Sequence, residues 1–562
     1  MTTIRPLITA LFTLSMTACV SGPVEPVERD SVTLSIIGTN DVHGALVATD
    51  QVGGLVTVSA YVDALRRARA ADGGAMLLID AGDMWQGTLE SNLGEGAAVI
   101  DAYNAMGVTA AALGNHEFDF GPVGERAVPI DAGDDPRGNL KRRASEAQFP
   151  LLTANLIDTS TGAPVDWENV RPSIMVEAAG IKVGIVGVMT VNALTTTIAA
   201  NVGGLEIAPL AETVTATARQ LRDDGAVLVV VAAHAGGKCT DFSDHRDLSS
   251  CNMSAEVMRL ANALEPGLVD YIIGGHSHNP IAHIANDIAI TSNYSNTYSF
   301  GRVDFQVDSD RQAVISRQVF APQQTAAGTR DEYEGFPLVP NPDVEQVARL
   351  ATARAEALKQ EKLGVTLTGP FKLVPDIESA IGNLMTRAML DSFEADIAIH
   401  NVFGGIRAGL PAGELTFGAV FQMFPFDNIV TVHEVSGRDL RGIIARHAGA
   451  HRLPGFAGMR VFVSCDEAGM RVEMRLDDGR VIQDDDRIRV VANDFLALGG
   501  DDILTSAIPE GGFELRYDMP LTRDALVTWF RAGPDTISPE DFRTHSTPKW
   551  NLPDGQPANC QY

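Results

Sequence analysis

Between Ser31 and about Val319, short aliphatic and β-branched runs alternate with longer stretches whose apolar positions recur at helical spacing. TLSIIG (33–38), AMLLID (75–80), TAAALG (109–114), KVGIVGV (182–188), AVLVVVAA (226–233) and DYIIGG (270–275) show little polar alternation. Such runs predict central strands buried on both faces. VSAYVDALRRARA and AAVIDAYNAMG, lying between them, predict amphipathic helices. Strand–helix alternation of this kind predicts a layered α/β domain over 32–330. After the weakly periodic stretch AGTRDEYEGFP, Asn341-Pro342 supplies a helix cap followed by proline at the first helical position. The polar helix it opens is expected to be a linker over 341–364, closed by Gly364, with a second α/β unit over 365–562. A chain of 562 residues is also too long for one ordinary core. No fixed-period repeat is present.

The first residues break this pattern. Arg5, the short apolar run Leu7–Leu14 and the small residues Thr17 and Ala18 precede Cys19. The run is too short to span a bilayer, and the arrangement resembles a bacterial lipoprotein signal. The expectation is a signal over 1–19, lipidation at Cys19, and a polar tether over 20–31. The protein would then be exported to the periplasm or cell surface, touching membrane only through that anchor. Four further cysteines remain, and four allow three pairings. Cys239–Cys251 and Cys465–Cys560 are favoured because each pair stays within one domain.

Charge narrows the partners. With 43 basic and 72 acidic side chains the formal net charge is −29. A nucleic-acid polymer is disfavoured, because backbone binding needs clustered Lys and Arg. A small anionic ligand is not, since bound cations reverse the field locally.

The candidate chemistry lies at the ends of the N-terminal strands. Asp41 and His43 follow the first, Asp83 the second, and Asn115, His116 and Asp119 the third. His234 ends a fourth; His276 and His278 follow a fifth. Strand ends are where α/β sheets build ligand sites. Five of the twelve histidines fall in these segments. Asp41, His43, Asp83, Asn115, His234, His276 and His278 give seven N/O donors. With Asp83 bridging, each of two divalent ions receives four protein ligands and keeps open positions, which suits two-metal catalysis. A His/Asp/Asn set suits Zn, Mn, Fe or Co and does not choose among them.

NDVHG, GD, GNHEFD, the isolated strand-end His234 and GHSH together resemble the metallophosphoesterase signature. DAGDMWQGTLESNLGEG, FGGIR and FPFDN resemble the 5′-nucleotidase family, which includes bacterial UDP-sugar hydrolases and animal ecto-5′-nucleotidases. The resemblance spans about Val32 to Trp529. It implies a layered α/β-β/α metallophosphoesterase domain followed by an α/β substrate-binding domain. It places Asp41, His43, Asp83 and His278 on one metal, and Asp83, Asn115, His234 and His276 on the other. A hydroxide activated by the two metals would attack phosphorus. His116, not a ligand, would meet the phosphate or leaving oxygen, oriented by Asp119. Arg407 would clamp phosphate, Phe426 and Phe495 would sandwich a base, and Asp501 would accept from ribose.

Three positions depart from the family pattern. Val402 stands where Asn is common, with Asn401 one residue early; Asp376-Ile377 replaces an Arg-bearing segment, with Lys372 the nearest base; Leu498 replaces Asn before GGD. All three concern phosphate or base contacts, and none a metal ligand. The reading is therefore hydrolysis of nucleotide phosphate esters. The alternatives are a UDP-sugar or cyclic-nucleotide phosphodiesterase and, in another class, a surface nucleotide-binding protein without significant turnover.

Overall fold

The structure, a computed structural model, describes residues 31–562 except 50–51, 125, 327–329, 375–377, 450–452, 468, 517–518, 544–547, 554–559 and 561–562. The expected signal, Cys19, the tether up to residue 30, and Asp376-Ile377 lie outside the described residues.

Two sheets stack face to face in the N-terminal half. In the first, β1 (Ser31–Thr39), β2 (Ala75–Asp80) and β3 (Ala110–Ala112) run parallel. In the second, β4 (Ile181–Met189), β5 (Leu228–His234) and β6 (Tyr271–Gly274) do the same. β7 (Ser299–Asp308) pairs antiparallel to β1. Side-chain alternation explains why the strand runs are unbroken. Leu34, Ile36, Leu77 and Ile79 meet Ile185, Val230, Ala232 and Ile273 between the sheets. Ile37 and Leu78 point the other way, onto α1 (Gly54–Asp72) and α2 (Ala97–Met106). Val229, Val231 and Ala233 pack on the helices of the opposite side. The result is the α/β-β/α layering.

α3 (Pro342–Lys359) opens as its sequence predicts, with the Asn341 side chain accepting from Asp343 N. It does not reach Gly364. It ends at Lys359, and β8 (Lys362–Leu367) follows, with Gly364 at φ +82° inside an irregular stretch of pairing. Gly364 thus relieves a strand distortion and does not cap the helix. The stretch before α3 also holds a small hairpin, Glu332–Tyr333 with Phe336–Pro337, and Tyr333 packs on Tyr61 and Phe300.

In the C-terminal half, β9 (Ile397–His400) is parallel to β11 (Arg487–Asn493), and β10 (Val430–Ser436) pairs antiparallel to β11. Apolar clusters on both sides of this sheet form a separate core. Cys239–Cys251 and Cys465–Cys560 are disulfide-bonded. No helix among the described residues is long and apolar enough to cross a membrane.

Candidate active site

Because β1, β2 and β3 are parallel, and β4, β5 and β6 likewise, their C-terminal ends deliver polar loops to one edge of the stack. Asp41 and His43 leave β1, Asp83 leaves β2, Asn115 and His116 leave β3, His234 ends β5, and His276 and His278 leave β6. Asp41, His43, Asp83, His276 and His278 all hold left-handed backbone, with φ between 48° and 69°. Non-glycine residues rarely adopt it, and such strain concentrates where structure over-determines a functional geometry. Gly114 is obligatory for another reason: a Cβ there would lie 2.2 Å from Asp83 Oδ1.

The donors form two groups. Asp41, His43 and His278 converge in one, and Asp83, His234 and His276 in the other. Asn115 Oδ1 joins the second, 3.1 Å from His234 Nε2 and 3.0 Å from His276 Nδ1. His43 Nδ1 donates to Gln86 O at 2.8 Å and His234 Nδ1 to Ala81 O at 2.8 Å. These backbone contacts fix the tautomer and leave each Nε2 facing inward. His43 Nε2 lies only 3.0 Å from His278 Nε2. Lone pairs and carboxylates packed this closely fit cations, and the hard-to-borderline donor set fits first-row divalent metals.

Electrostatics point the same way. Burial, then the neighbouring His278, pushes His43 down to about 3. Burial, then His234, takes His276 down to about 4. Both rings are therefore neutral and available as ligands near pH 7. Burial opposes ionisation of Asp41, but His278 outweighs it and holds the carboxyl below its usual range. His234 differs: Asp83 outweighs burial and raises its pKa to about 10, so its Nε2 holds a proton against the Asp83 carboxylate at 3.1 Å, and a divalent ion would bind there by displacing that proton.

His116 stands apart from both donor groups. Its Nδ1 lies 2.6 Å from Asp119 Oδ2, and its backbone N–H donates to Asp83 Oδ1 at 2.9 Å. Burial disfavours its charged form, yet Asp119 and Asp83 outweigh that, and its pKa is raised. Glu117 was not singled out from the sequence. It is buried, and its carboxyl accepts the N–H groups of Asp83, Met84 and Gly114 at 2.6–2.8 Å. It thereby ties the β2 and β3 loops together. Its only signal in the sequence is its place inside GNHEFD.

Facing this edge across a cavity of about 220 Å³ are residues of the C-terminal half. Arg407 follows β9, Phe495 and Asp501 follow β11, and Phe426 precedes β10, so the same edge logic gathers them. A Cβ at Gly405 would lie 2.5 Å from Asn401 Oδ1, so the Gly-Gly turn before Arg407 admits no larger residue there. Arg407 Nη2 lies 3.2 Å from His116 Nε2, and its guanidinium sits 5.1 Å from the Phe426 ring centre. Phe426 in turn stacks on His116, with centroids 5.8 Å apart at 26°.

The departures from the family pattern find different places. Asn401 lines the cavity and donates to Asp501 Oδ2 at 2.6 Å, whereas Val402 packs into the apolar core. Leu498 and Lys372 are exposed and do not line the cavity.

A family model described as calcineurin-like phosphoesterase matches residues 34–280, and one described as 5′-nucleotidase, C-terminal domain, matches 364–507. The chain is 26% identical to the cell wall protein Lmo0130 of Listeria monocytogenes, over 89% of this chain and 67% of that one. It is 25% identical to a 5′-nucleotidase of Vibrio cholerae, over 89% and 91%. The fold is similar to a 5′-nucleotidase precursor from Thermus thermophilus, with TM-score 0.69, 23% identity, and coverage of 90% of this chain and 97% of that one. Carrying both of the matched domains in one chain, the protein is a metal-dependent phosphoric ester hydrolase that belongs to the 5′-nucleotidase family.

Proposed function

We propose that the protein is a 5′-nucleotidase acting outside the cytoplasm, holding two divalent ions between the strand-end loops. The observation that carries this reading is the shared cavity, where His116 and the two donor groups face Arg407, Phe426 and Phe495. Asp41, His43 and His278 would hold one ion and Asn115, His234 and His276 the other, with Asp83 between them. Two such ions would lower the pKa of a water and offset the charge developing on the phosphoryl oxygens.

The chain's own groups do the rest. Arg407 binds the phosphoryl group by charge-assisted hydrogen bonds. His116 presents Nε2 to the reacting centre, while Asp119 fixes its tautomer and stabilises its charged form. Phe426 and Phe495 cover the faces of the base. Asp501, held by Asn401, accepts from a ribose hydroxyl.

A second reading, cleavage of nucleotide diesters or pyrophosphates, is favoured by a further cavity of about 480 Å³ that shares His278, Gly404 and Arg407 with the first. A UDP-sugar or an open diester extends from the reacting phosphorus in two directions and would fill both spaces, whereas a monoester would fill one. A metal-supplemented panel of AMP, UDP-glucose, 2′,3′-cyclic AMP and bis-p-nitrophenyl phosphate separates the readings. The highest kcat/KM on AMP supports the nucleotidase, and the highest on a diester or pyrophosphate supports the second.

Export is supported by the two disulfides, which persist in oxidising compartments, and by the relative named a cell wall protein. Lipidation at Cys19 is tested by mass spectrometry of the mature N-terminus; an unmodified start at another residue excludes the lipid anchor.

A further inference from the structure

The segment 190–198 joins β4 to the cavity wall and touches three functional groups. At its root, Thr190 N donates to His234 O at 2.8 Å. Glu256 fastens the same root, accepting from Thr190 Oγ1 at 2.6 Å and Val191 N at 3.1 Å. At its tip, Thr196 O accepts from Asn115 Nδ2 at 2.8 Å, which turns the amide oxygen of Asn115 toward His234 and His276. Thr197 Oγ1 donates to Asp119 Oδ1 at 2.8 Å. The other Asp119 oxygen is the one that meets His116.

We propose that Thr197 is a positioning residue for the His116–Asp119 pair. Asp119 is buried, so both of its oxygens need donors, and Thr197 supplies the second. With that hydroxyl in place the carboxylate cannot turn about its Cβ–Cγ bond without losing a hydrogen bond, and Nε2 of His116 stays aimed at the cavity. The hydroxyls of Thr195 and Thr196 turn back onto Asn192 O within the segment. Of these three threonines, only Thr197 has a hydroxyl that reaches the pair.

The inference rests on the reading in which His116 meets the leaving oxygen. An alkyl leaving group needs a proton, and a p-nitrophenolate does not. Thr197→Val should therefore lower kcat on AMP by on the order of 10-fold with little change in KM. The loss on p-nitrophenyl phosphate should be clearly smaller, with metal content and Tm unchanged. Thr197→Ser, which keeps the hydroxyl, should recover most of the loss. In an Asp119→Asn background Thr197→Val should cost almost nothing more, since the two act through one contact.

An unchanged kcat, an equal fall on both esters, a loss of metal in step with activity, or additivity with Asp119→Asn overturns the proposal. Wild-type inactivity on AMP alone counts against the nucleotide reading instead. The Thr197 comparison then runs with glycerol phosphate as the alkyl ester.

Discussion

Arg407 Nη2 approaches His116 Nε2 to 3.2 Å, joining a side chain of the C-terminal half to one of the N-terminal half across the cavity. Because Arg407 only donates, this contact requires an unprotonated Nε2, with Nδ1 bearing the proton toward Asp119. Arg407 is thus poised where an anionic phosphoryl group would separate it from His116. Arg407→Ala should lower kcat/KM by on the order of 10²-fold on nucleotides and on small aryl phosphates alike. Steady-state kinetics on both substrate types check this; a loss confined to nucleotides would move Arg407 to base or ribose recognition.

His116 lies beside His43 of one donor group and Asp83 of the other yet belongs to neither, its Nδ1 being committed to Asp119. His116→Ala should keep its metal and lose turnover by on the order of 10²–10⁴-fold. Metal analysis alongside kinetics decides the matter, since metal lost together with activity would make His116 a ligand.

The two phenylalanines are not equivalent. Phe426 stacks on His116 and lies beneath Arg407, so its removal disturbs groups that every ester needs. Phe495 packs instead on Gly500, where an added Cβ would meet its ring at 2.5 Å. Phe495→Ala should raise KM for nucleotides by roughly 10-fold and leave p-nitrophenyl phosphate hydrolysis nearly unchanged. Phe426→Ala should impair both. If Phe495→Ala impairs both equally, its ring is core and holds no base.

Burial pushes Asp494 up to about 7 from its ordinary 3.8, against hydrogen bonds from Asn428 Nδ2 and Phe495 N. The folded chain therefore keeps this proton in a window where the unfolded chain has lost it. Stability falls as pH rises from about 4 to about 7, and the loss is complete above that. Asn at this position cannot ionise and still accepts from both donors. Asp494→Asn should gain about 1–3 kcal/mol relative to wild type between pH 4 and pH 8. Urea unfolding of both proteins at the two pH values measures it, and a difference independent of pH would contradict it.

The strands and the clustered Asp, His and Asn donors were legible because each carries a local signal. AMLLID becomes β2 residue for residue, and glycine beside Asp or His marks the left-handed turns at Asp83 and His276. What stayed hidden depends on tertiary contact. Thr197 lies in a loop whose composition resembles any polar connector, and its role arises only when β4 brings it to Asp119. Gly364 reads as a helix stop because a glycine after a polar helix usually is one; the pairing of β8 with Gly413–Thr416 decides otherwise. Asn401 reads as a misplaced residue until its amide is seen on Asp501, with Val402 turned into the core.

Asp83, the carboxylate proposed to be shared by two ions, contacts His234 at 3.1 Å through its side chain and His43 and Glu117 through its backbone. Elemental analysis of metal-reconstituted, active protein measures this directly, with turnover followed as metal is added. Two equivalents per chain at full activity, with both occupancies falling in Asp83→Ala, is the predicted result; full activity at one equivalent or none contradicts it.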